Sequence, residues 1–281
     1  MNYNISGETF SNPLLKELLQ ALSLYFENKG IPFYVIGATA RDIIIRQLLN
    51  QESKRHTKDL DIAIAISDWN MFEEISEDIA LMDHFEKSRY QKQRFLFYGI
   101  YELDIIPFGK IARENDHIYW PPDEEIAMSV KGFDAALKNF ITIRVDDEFE
   151  IRVTALSGLF LLKLNAWSDR SLSTSKDAED LCYLIENYYD TFEERYAERN
   201  YHQEIYDMAD FDTFVAGATW LGHDISAVLT NEQAEYYNSV LITELQKEED
   251  SRLIEQMMKQ NRIISYEVIH RALSVLSSIL R

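Results

Sequence analysis

Two aspartates stand two residues apart in the run Lys58-Asp59-Leu60-Asp61-Ile62-Ala63-Ile64-Ala65-Ile66. Alternation along a strand puts Asp59, Asp61, Ala63 and Ala65 on one face, with Leu60, Ile62, Ile64 and Ile66 on the other. The apolar face belongs to a core. The other offers two carboxylates beside small residues that leave room for a ligand. Paired hard oxygens of this kind suit Mg²⁺, or Mn²⁺ in its place, which keeps waters and substrate phosphates as its remaining ligands. An isolated Asp-x-Asp is equally the solvated face of an edge strand, so the pair has to be weighed with its company.

Three other segments supply that company. In Val35-Ile36-Gly37-Ala38-Thr39-Ala40-Arg41 a short strand turns into a helix, whose first N–H groups can hold a phosphate. Arg41, on the first turn, opposes the helix dipole unless it meets an anion or a carboxylate. In Tyr101-Glu102-Leu103-Asp104-Ile105-Ile106 alternation puts Glu102 and Asp104 on one face, and Asp104 is a candidate third carboxylate. Its alternative is a solvated hairpin residue. Lys163 lies in the apolar run Leu161-Leu162-Lys163-Leu164-Asn165-Ala166-Trp167, with Arg170, Lys176, Asp177 and Asp180 following. Asp177 and Asp180 share a helix face. A lysine in such a run snorkels, pairs with a carboxylate, or meets a triphosphate.

The elements that must position these groups can be read from periodicity. Helix is expected at 12–29, with Ser11 as cap, Pro13 in the first turn and Gly30 as the stop. Strand follows at 33–36, helix at 40–50, strand at 60–66, and a helix capped by Ser67 that reaches about Met82. A hairpin is expected at 95–98 and 101–106, turning at Gly99, with Pro107 and Gly109 ending its second strand. One or two strands fall in 140–153. Helices are expected at 154–167, 175–188, 211–221, 231–247 and 265–279. The change of period near residue 153 predicts a mixed domain at 1–153 followed by a helical domain at 154–281, the latter closing the cleft.

Composition narrows the classes. Of 281 residues, 46% are apolar and 27% charged, enough to fill a core. No run approaches the ~18 apolar residues of a membrane helix. Met1–Phe10 lacks the pattern of a signal peptide, so a cytoplasmic protein with no membrane partner is expected. The single cysteine, Cys182, excludes an internal disulfide framework and a cysteine-rich zinc site. There is no Gly-x-Ser-x-Gly elbow and no His-Glu-x-x-His. The net charge of −20, from 28 basic and 48 acidic side chains, repels phosphate backbones over a broad face. Basic residues cluster locally at Lys54, Arg55, His56 and Lys58, and at Lys87, Arg89, Lys92 and Arg94.

Taken in chain order, these motifs resemble the DNA polymerase β-type nucleotidyltransferase superfamily. They are most similar to the AbiEii-type nucleotidyltransferases, some of which are toxins of toxin–antitoxin pairs. The residues that carry the resemblance are Gly37-Ala38, Thr57-Lys58-Asp59-Leu60-Asp61, the distal set Lys163, Arg170, Lys176, Asp177, Asp180 and Leu181, and the segment from Val215 to Ile225. Together they span Tyr34 to Ile225. Ala38 departs from the family's Gly or Ser. It removes a hydroxyl contact to phosphate and leaves the backbone N–H groups. The resemblance implies an α+β fold: a nucleotidyltransferase-type mixed sheet with flanking helices, then a helical domain.

It also implies metal-dependent transfer of a nucleoside monophosphate from a nucleoside triphosphate to an acceptor hydroxyl, with release of pyrophosphate. Asp59 and Asp61 would hold the ions. Asp104 would bind a second ion or take the acceptor's proton, and Lys163 would neutralise the triphosphate. Gly37, Ala38, Arg41, Lys58, Lys176, Asp177 and Asp180 would bind the nucleotide. The charge balance favours a small-molecule or protein acceptor, with tRNA, the substrate of a toxin-type enzyme, kept as an alternative. An antitoxin protein is a further expected partner. A regulatory module that binds nucleotide without transferring it is the rival reading.

Overall fold

The computed structural model describes residues 2–10, 12–48, 59–191, 205, 210–260 and 263–281. They form two compact units, Met1–Ala155 and Leu156–Arg281. The first is built on an eight-stranded mixed sheet and the second is helical.

The sheet of the first unit has the order β1-β9-β10-β2-β3-β6-β5-β4. Its strands are β1 (Asn2–Ile5), β2 (Phe33–Ile36), β3 (Asp59–Ile66), β4 (Phe85–Lys87), β5 (Arg94–Phe97), β6 (Tyr101–Gly109), β9 (Phe140–Val145) and β10 (Phe149–Thr154). Strands β7 (His117–Tyr119) and β8 (Ala127–Ser129) make a separate ribbon. β3 runs antiparallel to β2 and parallel to β6. Leu60, Ile62, Ile64 and Ile66 are buried on one face of β3, as alternation predicts. They share that core with Val35, Leu103, Ile105, Phe95 and Phe97. Helix α1 (Pro13–Lys29) contributes Leu15, Leu18, Leu19, Leu22 and Phe26 to the core, each buried side chain worth ~1.5–3 kcal/mol. Two short helices, α2 (Gly37–Asp42) and α4 (Phe133–Ala136), and the amphipathic α3 (Trp69–Ala80) complete the unit.

Several local expectations change. The cap of α1 is Asn12, whose Oδ1 accepts from the Leu14 N–H at 3.0 Å, and Ser11 lies outside the described residues. Asp68 rather than Ser67 caps α3, and Ser67 donates to it. A carboxylate is the better acceptor at the positive end of a helix. α2 begins at Gly37, three residues early, and continues in π geometry over Ile43–Leu48. β6 runs through Pro107 to Gly109. Its pairing on the β5 side ends with the bond from the Ile105 N–H to the Gln93 carbonyl, so at Pro107 a residue without an N–H is tolerated.

The second unit contains α5 (Leu156–Arg170), α6 (Lys176–Tyr188), α7 (Thr213–Ser226), α8 (Asn231–Leu245), α9 (Arg252–Gln260) and α10 (Tyr266–Ile279). The helix α9 was not evident from periodicity. Its nine residues offer little more than two turns of pattern.

Candidate active site

The pairing of β3 with β6 decides where the carboxylates stand. Asp59 faces Glu102 across the two strands, and Asp61 faces Asp104. Strands in a sheet are about 4.8 Å apart. Asp59, Asp61, Glu102 and Asp104 therefore form one acidic patch on the face opposite the core.

Backbone packing fixes the patch at its β2 side. The antiparallel pairing of β2 with β3 puts Ile36 beside Asp61, and the chain turns at Gly37 with φ +68°. A Cβ on Gly37 would stand 2.3 Å from Asp61 Oδ2, so glycine is needed there for both conformation and space. Thr39 Oγ1 donates to the backbone oxygen of Asp59 at 2.9 Å, tying α2 to the start of β3. Arg41 is buried, and both its Nε and its Nη2 contact Asp42 Oδ1, at 2.9 and 2.8 Å. Its charge thus meets a carboxylate, and because α2 begins at Gly37 it stands in the last turn of that helix, where the expected conflict with the dipole does not arise. On the core side, burial and then the charge of Asp59 push the Tyr101 hydroxyl up to about 12, so the phenol stays neutral.

On the β6 side a residue outside the expected set takes part. Arg94, opposite Asp104 on β5, grips both its carboxylate oxygens through Nε (2.7 Å) and Nη2 (2.8 Å). Its Nη1 reaches Glu102 Oε2 at 2.5 Å. The hydrogen bond to Asp104, outweighing partial burial, raises the Arg94 pKa, and the charges of Asp104, Glu102 and Asp61 add to it. Among the described residues no three acidic, histidine or cysteine side chains converge as a cation cage. One end of the patch is already occupied by a cation, Arg94. The sequence holds Arg94 within a basic cluster, but only the strand register shows that it points to the acids.

The chemistry of the remaining donors fits a hard divalent ion. Asp59 and Asp61 supply two carboxylates on one strand face, and Mg²⁺ needs only one or two when substrate phosphates complete its shell. Lys58 and the cluster at 54–58 lie outside the described residues.

The distal set forms its own network inside the second unit. Asp177, fully buried at the start of α6, receives Arg170 Nε at 2.6 Å and Nη2 at 2.8 Å. Lys163 from α5 lies 2.6 Å from Asp180 and 3.4 Å from Asp177. Burial works to raise the Asp177 pKa, but Arg170 and Lys163 outweigh it and hold the carboxyl below its ordinary value. Lys176 is exposed. The spacing in the sequence brings Lys163, Arg170, Asp177 and Asp180 together. It did not show that the two acids serve the two bases.

The mixed sheet with paired carboxylates on one face is what the family comparison leads one to expect of this class. Residues 17–263 match the family described as Nucleotidyl transferase AbiEii toxin, Type IV TA system. The chain belongs to that family and is a nucleotidyltransferase. No curated protein matches it. The solved structure of the antibiotic-resistance factor ANT(2'')-Ia is similar with a TM-score of 0.35 and 11% identity, over 68% of this chain and 98% of that one. Among the described residues no helix is long and apolar enough to cross a membrane.

Proposed function

We propose that the protein transfers a nucleoside monophosphate from a nucleoside triphosphate to an acceptor hydroxyl, using Mg²⁺ or Mn²⁺ held by Asp59 and Asp61. The observation that carries this reading is the register that sets Asp61 beside Asp104 with Asp59 two residues away on the same face. The bound ion supplies charge neutralisation at the phosphates. The acceptor oxygen bonds to the α-phosphorus as the bond to pyrophosphate breaks. The acceptor's proton passes to a carboxylate of the patch, and Asp104 is that group or a further metal ligand once Arg94 lets go of it. Gly37, Ala38 and Arg41 form the phosphate side of the site, with Lys58. Within the helical unit, Lys163, Arg170 and Lys176 form the basic part of the distal set, and Asp177 and Asp180 hold the first two in place. The rest of catalysis is positioning.

The acceptor in this reading is a hydroxyl of a small molecule or a protein, and an antitoxin protein is the regulatory partner. The pairing of Asp104 with Arg94 favours one rival, a nucleotide-binding module without transfer. Incubation with triphosphates labelled at the α-phosphorus, in the presence of a cell extract, separates the two. Label should move to an acceptor fraction with the wild-type chain. It should fall by about 10²–10³-fold with Asp61→Asn, whose folded state should persist because the core face of β3 is untouched. Nucleotide binding with no transfer under any divalent ion would leave the module reading standing.

A further inference from the structure

The second basic cluster is divided by the pleat of the sheet. Arg94 points to the acidic patch. Lys87 pairs across strands with Phe95, a core residue next to Arg94, and so stands on the opposite face. There, Lys87, Arg89 and Lys92 border a cavity of about 450 Å³ walled by Trp69, Phe72 and Trp120.

This cavity has two features of a ligand site. Its wall is a packed aromatic cluster: Trp69 and Trp120 have ring centroids 5.1 Å apart, and Phe72 meets Trp120 edge-on at 5.2 Å. Its lining has three basic side chains against one acid, Glu73, in a chain where acids outnumber bases 48 to 28. Lys92 is anchored to the oxygens of Pro121 and Asp123 at 2.7 and 3.0 Å. Lys87 and Arg89 are exposed and make no ion pair among the described residues.

A planar ring against indoles with an anion between two cations is the chemistry that recognises a nucleotide. We propose that this cavity binds a free mononucleotide, its base against Trp69 and its phosphate on Lys87 and Arg89, as an effector site separate from the carboxylates. The segment 88–92 borders it, and its ends are tied back to the strands that carry the acidic patch. Ser88 N–H donates to the Arg94 carbonyl at 2.8 Å, and the Ile105 N–H donates to the Gln93 carbonyl at 2.9 Å. Occupancy is thereby linked to Arg94, the partner of Asp104 across the strands, and to Ile105 beside Asp104.

The proposal goes beyond the transfer reading and is tested without it. Tryptophan fluorescence is titrated with AMP, GMP, CMP and UMP in the presence of EDTA, with adenosine, inorganic phosphate and a twelve-nucleotide single strand as controls. At least one mononucleotide should quench saturably, and adenosine and phosphate should each bind about tenfold more weakly. Lys87→Ala with Arg89→Ala should weaken the mononucleotide about tenfold and leave adenosine unchanged. Both side chains are exposed, so the fold should survive, and far-ultraviolet circular dichroism checks this. Asp61→Asn should bind as wild type even if transfer is absent from both proteins. The assignment is overturned if no mononucleotide saturates, if the double variant binds as wild type, or if Asp61→Asn removes binding. It is equally overturned if the twelve-nucleotide strand binds far more tightly than any mononucleotide, which would make this a nucleic-acid surface.

Discussion

Arg94 sets the resting state of the acidic patch. It compensates Asp104 with two charge-assisted bonds and Glu102 with a third contact, while Asp59 is exposed to solvent. Charge-assisted bonds at a partly buried site are worth about 2 kcal/mol in net stability. Arg94→Ala should therefore lower the melting temperature of the metal-free protein, because Asp104, Glu102 and Asp61 then repel one another. The same variant should show a larger upward shift on adding Mg²⁺ than wild type, since the ion replaces the lost cation. Thermal melts with and without Mg²⁺ check both signs, and equal shifts in the two proteins would show that Arg94 and the ion do not share Asp104.

Among the elements, the α5–α6 pair shows how a buried acid is kept charged. Asp177 has a depressed pKa in the folded protein despite complete burial, because Arg170 and Lys163 oppose the cost of desolvation. A depressed folded value means that the stabilisation is present above the ordinary value of 3.8 and is lost as pH falls through the folded value. Acid titration should thus destabilise the helical unit below about pH 3.8, and Asp177→Asn should flatten that slope while lowering stability at pH 7. Circular dichroism against pH measures it, and an unchanged slope in the variant would assign the acid sensitivity elsewhere. The legibility of these elements follows the range of the interactions behind them. Alternation in Asp59–Ile66 gave both faces of β3, because period two is local. The partnership of Asp61 with Asp104 depends on which strands meet and in what register, which no local pattern encodes. Arg94 was hidden for that reason, and so were the passage of β6 through Pro107 and the short strands β1 and β4. The distal acids were visible as a spacing, yet their function as holders of Lys163 and Arg170 needed side-chain geometry.

For the whole molecule the decisive quantity is charge. A net −20 opposes any polyanionic acceptor unless local cations offset it. From Ile151 to the end the chain has 12 basic and 22 acidic residues, so the helical part is acidic on balance. In the first unit, Arg94 is committed to Asp104 and Glu102, and Lys92 to Asp123 and nearby carbonyls. The described cations left for phosphate contact near the sheet edge are thus fewer than the basic cluster suggests. An RNA acceptor held by six to ten phosphate contacts would lose about 10³–10⁵-fold in affinity between 50 and 200 mM salt. A small-molecule or protein hydroxyl brings no such counterion release. Transfer of label at subsaturating acceptor should accordingly change by less than about tenfold over that salt range. Fractionating the labelled product by nuclease and protease sensitivity identifies the acceptor class in the same experiment. Nuclease-sensitive label together with a steep salt dependence would make RNA the acceptor. It would also turn attention to the basic residues at 54–58, which lie outside the described residues, and to the exposed Lys87 and Arg89.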